Sequence, residues 1–353
     1  MRQKKYILLF LLFITSAGSI FLIARIIKLL NKQNNAFIRH YPPHFLSSLR
    51  TLDLNYNSFY IAGHSAGHIY LGNTKAPGCV LVANDLLTDT QYHNLSLPEG
   101  SKLFIDASRW QLNYPFMNLV DSKSSTIIQT QLPELSIYER YNLTVQFPEE
   151  IKAVSKSSFV YKHYNPALQQ SILSKYRGTG PDYTPEKPLL EKQLDGHFCL
   201  DGQLLYSSGS ATIVYLYYYR NEFLCLDTNL NLQFRGKTID TNSVAKITLD
   251  TIFFQNGDKN LTFNKPPLII NKAGSVSDNL LFINSRLIAD NDDPNLFDNQ
   301  TAIDIYDLTK KNYLYSFLLP DYKGNKLKQF MVFGKKLIAL YEQYMVTWDL
   351  KIP

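Results

Sequence analysis

The sequence predicts an all-β protein, a six- or seven-bladed β-propeller preceded by one N-terminal transmembrane helix. One uncharged apolar run stands near the start of the chain. Short apolar or alternating runs separated by turn residues fill the remainder, and a weak internal repeat recurs among them. With 353 residues, 45% of them apolar, the chain can bury a sizeable core. Its three Cys exclude a small fold held together by disulfides.

The predicted membrane segment is the run from Tyr6 to Ala24, nineteen residues without a charge. A helix rises about 1.5 Å per residue, so this run spans roughly 30 Å, the thickness of the hydrocarbon core of a bilayer. A cleaved signal peptide with its cleavage site at Thr15–Ala17 is the alternative. Cleavage there would leave the apolar Ile20–Ile23 at the start of the mature chain. We therefore expect a retained signal anchor.

The distribution of charge separates this segment from the body. Residues 1–50 hold eight basic residues and no acidic one, whereas the remainder holds 28 basic and 30 acidic residues. The body is nearly neutral and shows no basic stripe interleaved with aromatics, so we expect no nucleic-acid partner. We expect a cytoplasmic tail and anchor at 1–30, a juxtamembrane linker at 31–48 and the propeller at 49–353.

The internal repeat sets the expected number of blades. An Asp that closes an apolar run is followed eleven or twelve residues later by Leu-Pro, as after Asp85, Asp121 and Asp307. At roughly 43 residues per blade, the body holds seven blades, with six the close alternative and a pair of β-sandwiches the structural alternative. The last three predicted strands, Gln329–Leu350, lack an outer strand, which Leu52–Tyr56 could supply.

Several segments carry a resemblance to known proteins: Tyr56–Gly63 with Ile69–Asn73, Lys192–Gly202, Tyr217–Asn221 and Arg235–Thr241. On these residues the chain resembles an uncharacterised bacterial family of membrane-anchored β-propeller proteins. More distantly it is similar to quinoprotein-dehydrogenase-like and YVTN-type propellers. The resemblance implies an anchor, a propeller and no known activity. No cofactor residue of the quinoprotein propellers finds a match, so we expect no cofactor. A bacterial inner-membrane protein with its propeller outside the cytoplasm is the expected location.

The sharpest chemical motif is Gly63–Gly67, which fits the G-x-S-x-G pattern of a nucleophile elbow around Ser65. An elbow needs a helix after the Ser, but His68–Asn73 alternates as a strand does. A β-hairpin turn is therefore predicted, and no catalytic residue is assigned. His64 and His68 lack further ligands for a metal. The acidic segment Asp290–Asp298 lacks the Gly and Glu of an EF-hand, so we expect a solvated loop and no metal site.

Candidate ligand-binding residues come from two neighbouring segments. Aromatic residues alternate along 215–219 and would bind a peptide or a sugar if they faced a groove, although packing between blades is the alternative. Polar residues of 192–197 and Arg235 would reach the same propeller face. Cys199 and Cys225 are expected to be buried free thiols. The predicted binding residues are Lys192, Asp195, His197, Tyr217, Tyr219, Arg220 and Arg235.

The function predicted from these observations is that of a binding or scaffolding module in the cell envelope. Its expected partners are the membrane, through Tyr6–Ala24, and an envelope protein or peptide. An enzyme is the alternative, either a quinoprotein-dehydrogenase-like propeller or subunit, or a serine hydrolase that uses Ser65. A third hypothesis is a solute sensor coupled to a partner through the anchor.

Overall fold

The computed structural model describes residue 6, residues 12–16, 18–22, 36–97, 104, 106–178, 181–253 and 259–352. Within these residues, antiparallel sheets form six blades, and the first strand of each blade contacts the first strand of the next. The contacts return from blade 6 to blade 1, so the blades close a ring around a central channel. The body is therefore an all-β, six-bladed propeller.

The strands follow the chain in regular order. Blade 1 consists of β2 (Phe59–Ser65), β3 (His68–Asn73), β4 (Cys79–Asn84) and β5 (Thr90–Asn94); blade 2 of β6 (Ser108–Asn113), β7 (Phe116–Asp121), β8 (Thr126–Gln131) and β9 (Ser136–Asn142); blade 3 of β10 (Glu150–Ala153), β11 (Phe159–Asn165) and β12 (Gln170–Tyr176). Blade 4 consists of β13 (Gly202–Ser207), β14 (Thr212–Tyr217), β15 (Glu222–Asp227) and β16 (Leu232–Lys237), and is followed by a hairpin of β17 (Leu249–Phe253) and β18 (Lys259–Phe263). Blade 5 consists of β19 (Asn271–Ser277), β20 (Leu280–Ser285), β21 (Gln300–Asp307) and β22 (Asn312–Pro320); blade 6 of β23 (Gln329–Phe333), β24 (Lys336–Tyr341), β25 (Tyr344–Leu350) and β1 (Leu46–Asp53).

The burial of each strand follows from its place in a blade. Middle strands such as β14 and β24 are packed on both faces by neighbouring blades and are almost continuously apolar, whereas outer strands such as β5 and β9 are largely exposed. The cores lie between blades rather than within them. Trp110 of blade 2, for example, packs with Tyr70 and Val80 of blade 1. Stacking of the blades thus accounts for the run of apolar residues in each central strand.

The ring is closed by the N-terminal strand β1, which pairs antiparallel with β25 as the outer strand of blade 6. The sequence predicted closure by an N-terminal segment at Leu52–Tyr56. The closing strand lies earlier, at Leu46–Asp53, and only Leu52 and Asp53 belong to both. One sheet therefore joins the two ends of the propeller chain.

The preference for seven blades was wrong, because two long connections carry residues that form no blade. Residues 238–270 lead from blade 4 to blade 5, and their described part, 238–253 and 259–270, contains only the two-stranded hairpin. Residues 177–201 follow the three-stranded blade 3, where a single bridge between Lys175 and Tyr183 stands beside β12. The Asp to Leu-Pro repeat also equated positions that differ between blades. Asp85 follows the third strand of blade 1, whereas Asp121 ends the second strand of blade 2. The mean number of residues per blade is therefore larger than the roughly 43 assumed from the sequence.

The channel wall is fastened by side chains that bridge neighbouring inner strands. The inner strand of a blade has one edge without a strand partner, so its backbone groups need other hydrogen bonds. At five of the six junctions, a side chain of one inner strand bonds the backbone of the next: Tyr60 accepts from Trp110 N, Gln111 donates to Ile151 O, Gln203 accepts from Gly274 N, Ser275 accepts from Val332 N and Gln329 accepts from Ile61 N.

The two ends of the channel differ in what they display. We call the end at which the inner strands begin the front face; it carries the connections between blades and the turns between second and third strands. The rear face carries tight turns such as Ala66–Gly67, which joins β2 to β3. The connection 238–270 lies at the front face, whereas 177–201 starts at the rear end of β12 and runs to the front face, where β13 begins. The front face is therefore the more elaborated one.

Residues 36–45, which we call the strap, pack along blade 5 before β1 begins. Arg39 is 2% exposed, and its Nε lies 2.7 Å from Asp304 Oδ1 while Nη1 contacts Asp292. Ser316 N donates to His40 O at 2.8 Å. The prediction of a solvated acidic loop at Asp290–Asp298 was wrong for Asp292, which is buried because it neutralises Arg39. The strap thereby fixes the N-terminal segment to blade 5.

The predicted anchor Tyr6–Ala24 lies partly outside the described residues. Its described positions, 6, 12–16 and 18–22, are helical. Among the described residues there is no helix with the length and apolar character needed to cross a bilayer.

Candidate functional site

The front face carries a group of charged and aromatic side chains where blades 3 and 4 meet. We call it the blade 3–4 mouth. β10 and β13 both begin there, and β14 ends there because Gly202 pairs with Tyr217. The charged members are Glu149, Glu150, Lys162 and Asp201, and the rings are those of Tyr164, His197, Phe198, Tyr218, Tyr219 and Phe263.

A buried ammonium group lies at the base of the mouth. The Lys162 side chain is 3% exposed, and its Nζ lies 2.6 Å from Glu149 Oε2 and 2.9 Å from Asp201 Oδ1. Burial alone would lower the pKa of Lys162, but the two carboxylates outweigh it and the pKa is raised. Lys162 therefore stays charged, and it links blade 3 to the residue that precedes β13.

Glu150 is the first residue of β10 and lies opposite Lys162 in the ladder between β10 and β11. Burial raises its pKa, which Lys152 and Lys162 partly oppose. No Lys, Arg or His of the described residues forms an ion pair with it, since the Lys162 ammonium is committed to Glu149 and Asp201. Glu150 is thus a recessed carboxyl without a paired cation.

The rings of the mouth form a continuous arc. Tyr164 contacts His197, with 6.3 Å between ring centroids, and His197 contacts Phe198 at 5.0 Å. Phe263 continues the arc at 4.6 Å from Phe198 and 5.9 Å from Tyr219. Tyr218, which is 6.3 Å from Tyr219, ends it. The pKa of Tyr218 is raised by burial and then by Glu150 and Asp201, and its backbone N–H donates to the backbone carbonyl of Asp201 at 3.0 Å.

The hairpin of β17 and β18 forms one side of the arc. Leu249 pairs with Phe263, and Thr251 pairs with Leu261, so these four side chains share one face of the hairpin. Because Phe263 contacts the rings of Phe198 and Tyr219, that face is turned toward the mouth. Leu261 remains 42% exposed on it.

Local backbone chemistry fixes the position of His197 and Phe198. The Asp195 carboxylate accepts hydrogen bonds from the backbone N–H groups of His197 at 2.7 Å and Phe198 at 2.5 Å, ahead of the 3-10 helix Phe198–Leu200. A Cβ on Gly196 would lie 1.9 Å from Gln169 O, so only glycine fits this approach of two chain segments. The two rings are therefore held by the fold rather than by a ligand.

The structure distributes the seven predicted binding residues over three environments. His197 and Tyr219 lie in the mouth. Asp195 lies beneath it, where its carboxylate accepts hydrogen bonds from the backbone N–H groups of His197 and Phe198. Lys192 is exposed in the connection that follows blade 3. The other three residues, Tyr217, Arg220 and Arg235, form a separate group in blade 4.

That separate group is a packed ion network. Tyr217 is fully buried, and the guanidinium carbon of Arg220 lies 3.6 Å from the centroid of its ring. Arg220 and Arg235 both pair with Glu222, at 2.9 and 2.8 Å, and Arg235 also pairs with Glu191 at 2.9 Å. Burial raises the pKa of Tyr217 to about 12. Here the alternating tyrosines serve packing between blades, the alternative that the sequence left open.

Sequence reasoning missed most of the charged residues of the mouth. Asp201 and Tyr218 lie inside the segments that carried the family resemblance but had no role assigned to them. Lys162 lies in β11, where the surrounding residues follow the ordinary pattern of a strand and give no sign of a site. The adjacent carboxyls Glu149 and Glu150 at the start of β10 were the one local signal, because two like charges side by side favour a nearby cation that offsets their repulsion.

The predicted hairpin turn at Ser65 is confirmed. Ser65 pairs with His68 across Ala66 and Gly67, whose φ angles of 50° and 77° suit a tight hairpin turn. His64 Nε2 lies 2.7 Å from Asp85 Oδ1, but consecutive residues of a strand point to opposite faces, so His64 and Ser65 diverge. Cys199 and Cys225 are buried free thiols, as expected.

Comparison with known proteins adds to this geometry. No family model matches the chain, and no curated protein is detectably similar. The chain is similar in structure to a member of the DUF4221 family from Bacteroides vulgatus, with a TM-score of 0.56, 12% identity and coverage of 87% of this chain and 97% of that one. The likeness is one of fold. Virginiamycin B lyase from Staphylococcus aureus is also similar, with a TM-score of 0.49, 13% identity and coverage of 86% and 99%.

Proposed function

We propose that this protein is a membrane-tethered β-propeller that binds a ligand or partner of the cell envelope at the blade 3–4 mouth. One observation carries the proposal: an arc of six rings stands beside a buried ion network at the entrance of the channel. Aromatic walls with a few converging polar groups are the usual composition of a ligand site.

The mouth is also organised in advance of any ligand. Lys162 orients the carboxylates of Glu149 and Asp201, while Asp195 and Gly196 fix His197. Tyr164 remains 45% exposed. A site whose groups are already ordered loses little conformational entropy when a ligand binds, so more of the contact energy appears as affinity. This favours binding as the role of the mouth.

The tether is supported by the sequence and by the position of the strap. The uncharged run Tyr6–Ala24 has the length of a membrane span. The strap joins the propeller at the front face, where Phe37 packs against Ile270 and Leu287. Residues 25–35 would extend over roughly 35–40 Å at most, at about 3.3–3.6 Å each. A bacterial inner-membrane anchor would therefore hold the mouth near the outer surface of that membrane, outside the cytoplasm.

A second candidate function, an enzyme, is favoured by one group. Glu150 is a carboxyl at the start of β10 whose pKa is raised by burial, as a general acid requires. An enzyme would need Glu150 to convert its substrate but not to bind it. If the protein is an enzyme, Glu150→Gln should therefore still bind the ligand but no longer convert it.

The binding proposal is tested by photo-crosslinking in intact membranes. A benzophenone amino acid replaces Tyr164 in the mouth, and the control carries the same replacement at Tyr92, which is 56% exposed on blade 1. We expect an adduct from position 164 that is absent from position 92 and is lost when Tyr219→Ala is added. Equal adducts at both positions, or none at position 164, would contradict binding at the mouth.

The location is tested by labelling an introduced cysteine. Ser208→Cys lies in an exposed rear-face turn, and the native thiols of the parent chain give the background. A membrane-impermeant maleimide should label this variant in intact spheroplasts. Labelling that appears only after lysis would place the propeller in the cytoplasm instead.

A further inference from the structure

We propose that the ligand of the blade 3–4 mouth is an organic cation, an ammonium group that carries an apolar or aromatic substituent. This inference rests on the proposed function of the mouth and adds the chemical class of its ligand. It is argued from three features: an unpaired carboxyl, the arc of rings and the fixed ion pairs around Lys162.

The first feature is Glu150. Among the described residues it forms no ion pair, because the ammonium of Lys162, its neighbour on the adjacent strand, is bound by Glu149 and Asp201. A recessed carboxylate without a paired cation is costly. A cationic ligand would supply the missing partner.

The second feature is the position of the carboxyl-bearing residues relative to the rings. At one end of the arc, Tyr218 N donates to the backbone carbonyl of Asp201 at 3.0 Å. Further along the arc, His197 Nδ1 lies 3.5 Å from Glu149 Oε1. Tyr219 and Phe263 continue the arc from Tyr218. The faces of aromatic rings carry negative electrostatic potential and attract cations, more strongly where water is partly excluded. The exposed Leu261 on the adjacent hairpin face offers an apolar surface for a substituent.

The third feature decides between cation and anion. Lys162 is buried and already engaged by Glu149 and Asp201, so it cannot serve as the receptor of an anion. An anionic ligand would approach three carboxyls, with Lys152 on β10 as the remaining nearby ammonium. The balance of charge at the mouth therefore opposes anions and favours ammonium groups.

The test uses three probes that share a phenyl ring: 2-phenylethylammonium, 2-phenylethanol and 3-phenylpropionate. Binding to the full-length protein in a non-ionic detergent is measured by calorimetry and by ligand-observed NMR. We expect the ammonium probe to bind about tenfold more tightly than the alcohol, and the carboxylate to bind more weakly than either.

Variants assign the binding to the mouth. Glu150→Gln should reduce the affinity for the ammonium probe to that for the alcohol, while Glu134→Gln, an exposed carboxyl on the rear face of blade 2, should leave it unchanged. Tyr219→Ala should weaken both probes and serves as a second variant if Glu150→Gln fails to fold. An unchanged melting temperature of each variant confirms that the fold is retained.

Two results would overturn the inference. If the ammonium and alcohol probes bind equally and Tyr219→Ala weakens both, the mouth binds ligands but does not select cations, and the proposed function stands. If a neutral oligosaccharide binds the mouth and displaces the ammonium probe with higher affinity, the ligand class is a sugar. Failure of the proposed function itself is recognised separately, by the absence of an adduct from position 164.

Discussion

The ammonium of Lys162 lies 2.9 Å from the Asp201 carboxylate, an ion pair that joins blade 3 to the start of blade 4. Glu149 completes the group at 2.6 Å. The same three side chains thus fasten two blades and shape the base of the mouth. Stability and recognition are coupled at this position, and the predictions below separate them.

Removal of the Lys162 ammonium should destabilise the protein. Lys162→Met leaves Glu149 and Asp201 as neighbouring carboxylates without their shared cation, at a cost of about 3 kcal/mol in the free energy of unfolding. Chemical denaturation measures this difference. The matched control is Lys310→Met, whose side chain is 72% exposed in a 3.9 Å pair and should change the free energy by less than about 1 kcal/mol. Equal effects of the two substitutions would contradict a structural role for Lys162.

Glu150 should make stability depend on pH. Its pKa in the fold is raised above the ordinary 4.5, so the folded protein binds this proton more tightly than the unfolded chain does. The resulting stabilisation is fully present below about pH 4.5 and is lost as pH rises through the folded pKa. Glu150→Gln keeps the size of the side chain and removes the titration.

The free energy of unfolding of Glu150→Gln, relative to that of the unaltered protein, should therefore increase from pH 4 to pH 8. Denaturation curves at several pH values measure it. Glu134→Gln should show no such trend. A difference that is constant or declines with pH would mean that Glu150 is ionised without cost in the fold. If this trend is found and Glu150→Gln also loses binding of the ammonium probe, Glu150 lowers the stability of the fold but is needed for ligand binding.

The strap should depend on Arg39. Arg39→Ala leaves Asp304 and Asp292 buried without a cation, and the free energy of unfolding should fall by about 3–5 kcal/mol. Arg50→Ala is the control, because the 3.6 Å pair of Arg50 with Asp349 is partly exposed and contributes less than about 1 kcal/mol. Limited proteolysis should also cut Arg39→Ala in the strap first. Resistance equal to that of the unaltered protein would argue against the strap as part of the fold.

Gly196 should be required for the mouth rather than for the propeller. Gly196→Ala places a methyl group 1.9 Å from Gln169 O, so the turn that holds His197 and Phe198 must shift. We expect binding of 2-phenylethylammonium to weaken about tenfold, with cooperative unfolding retained. Gly78→Ala is the control, because its nearest contact would be Leu95 O at 3.9 Å. Unchanged binding by Gly196→Ala would show that these rings do not contact the ligand.

The sequence was sufficient for the fold class because strand signals are local. Runs such as Leu280–Ile283 and Leu337–Tyr341 alternate or are wholly apolar between turn residues, and each forms the predicted strand. The number of blades depends on long connections instead. Residues 238–270 contain strand-like segments, and only their lack of a neighbouring blade shows that they form a hairpin beside the ring.

The site was less accessible to sequence reasoning because its members meet only in the folded chain. His197 and Tyr219 were found, since each lies in a segment rich in polar or aromatic residues. Lys162 and Asp201 are 39 positions apart, and no spacing rule joins them. Tyr217 belongs to the same alternating run as Tyr219 but is turned into the core. The side on which an aromatic residue lies is decided by the stacking of blades.

The pairing of β1 with β25 also constrains the order of assembly. Ser47 bonds Asp349 across 302 positions of sequence, and Arg39 of the strap reaches Asp292 across 253. The strand β1 precedes blade 1 in the chain, but its partner strand lies in blade 6. A propeller chain with five finished blades therefore still leaves β1 without a partner strand. Closure of the ring can form only once β25 is available.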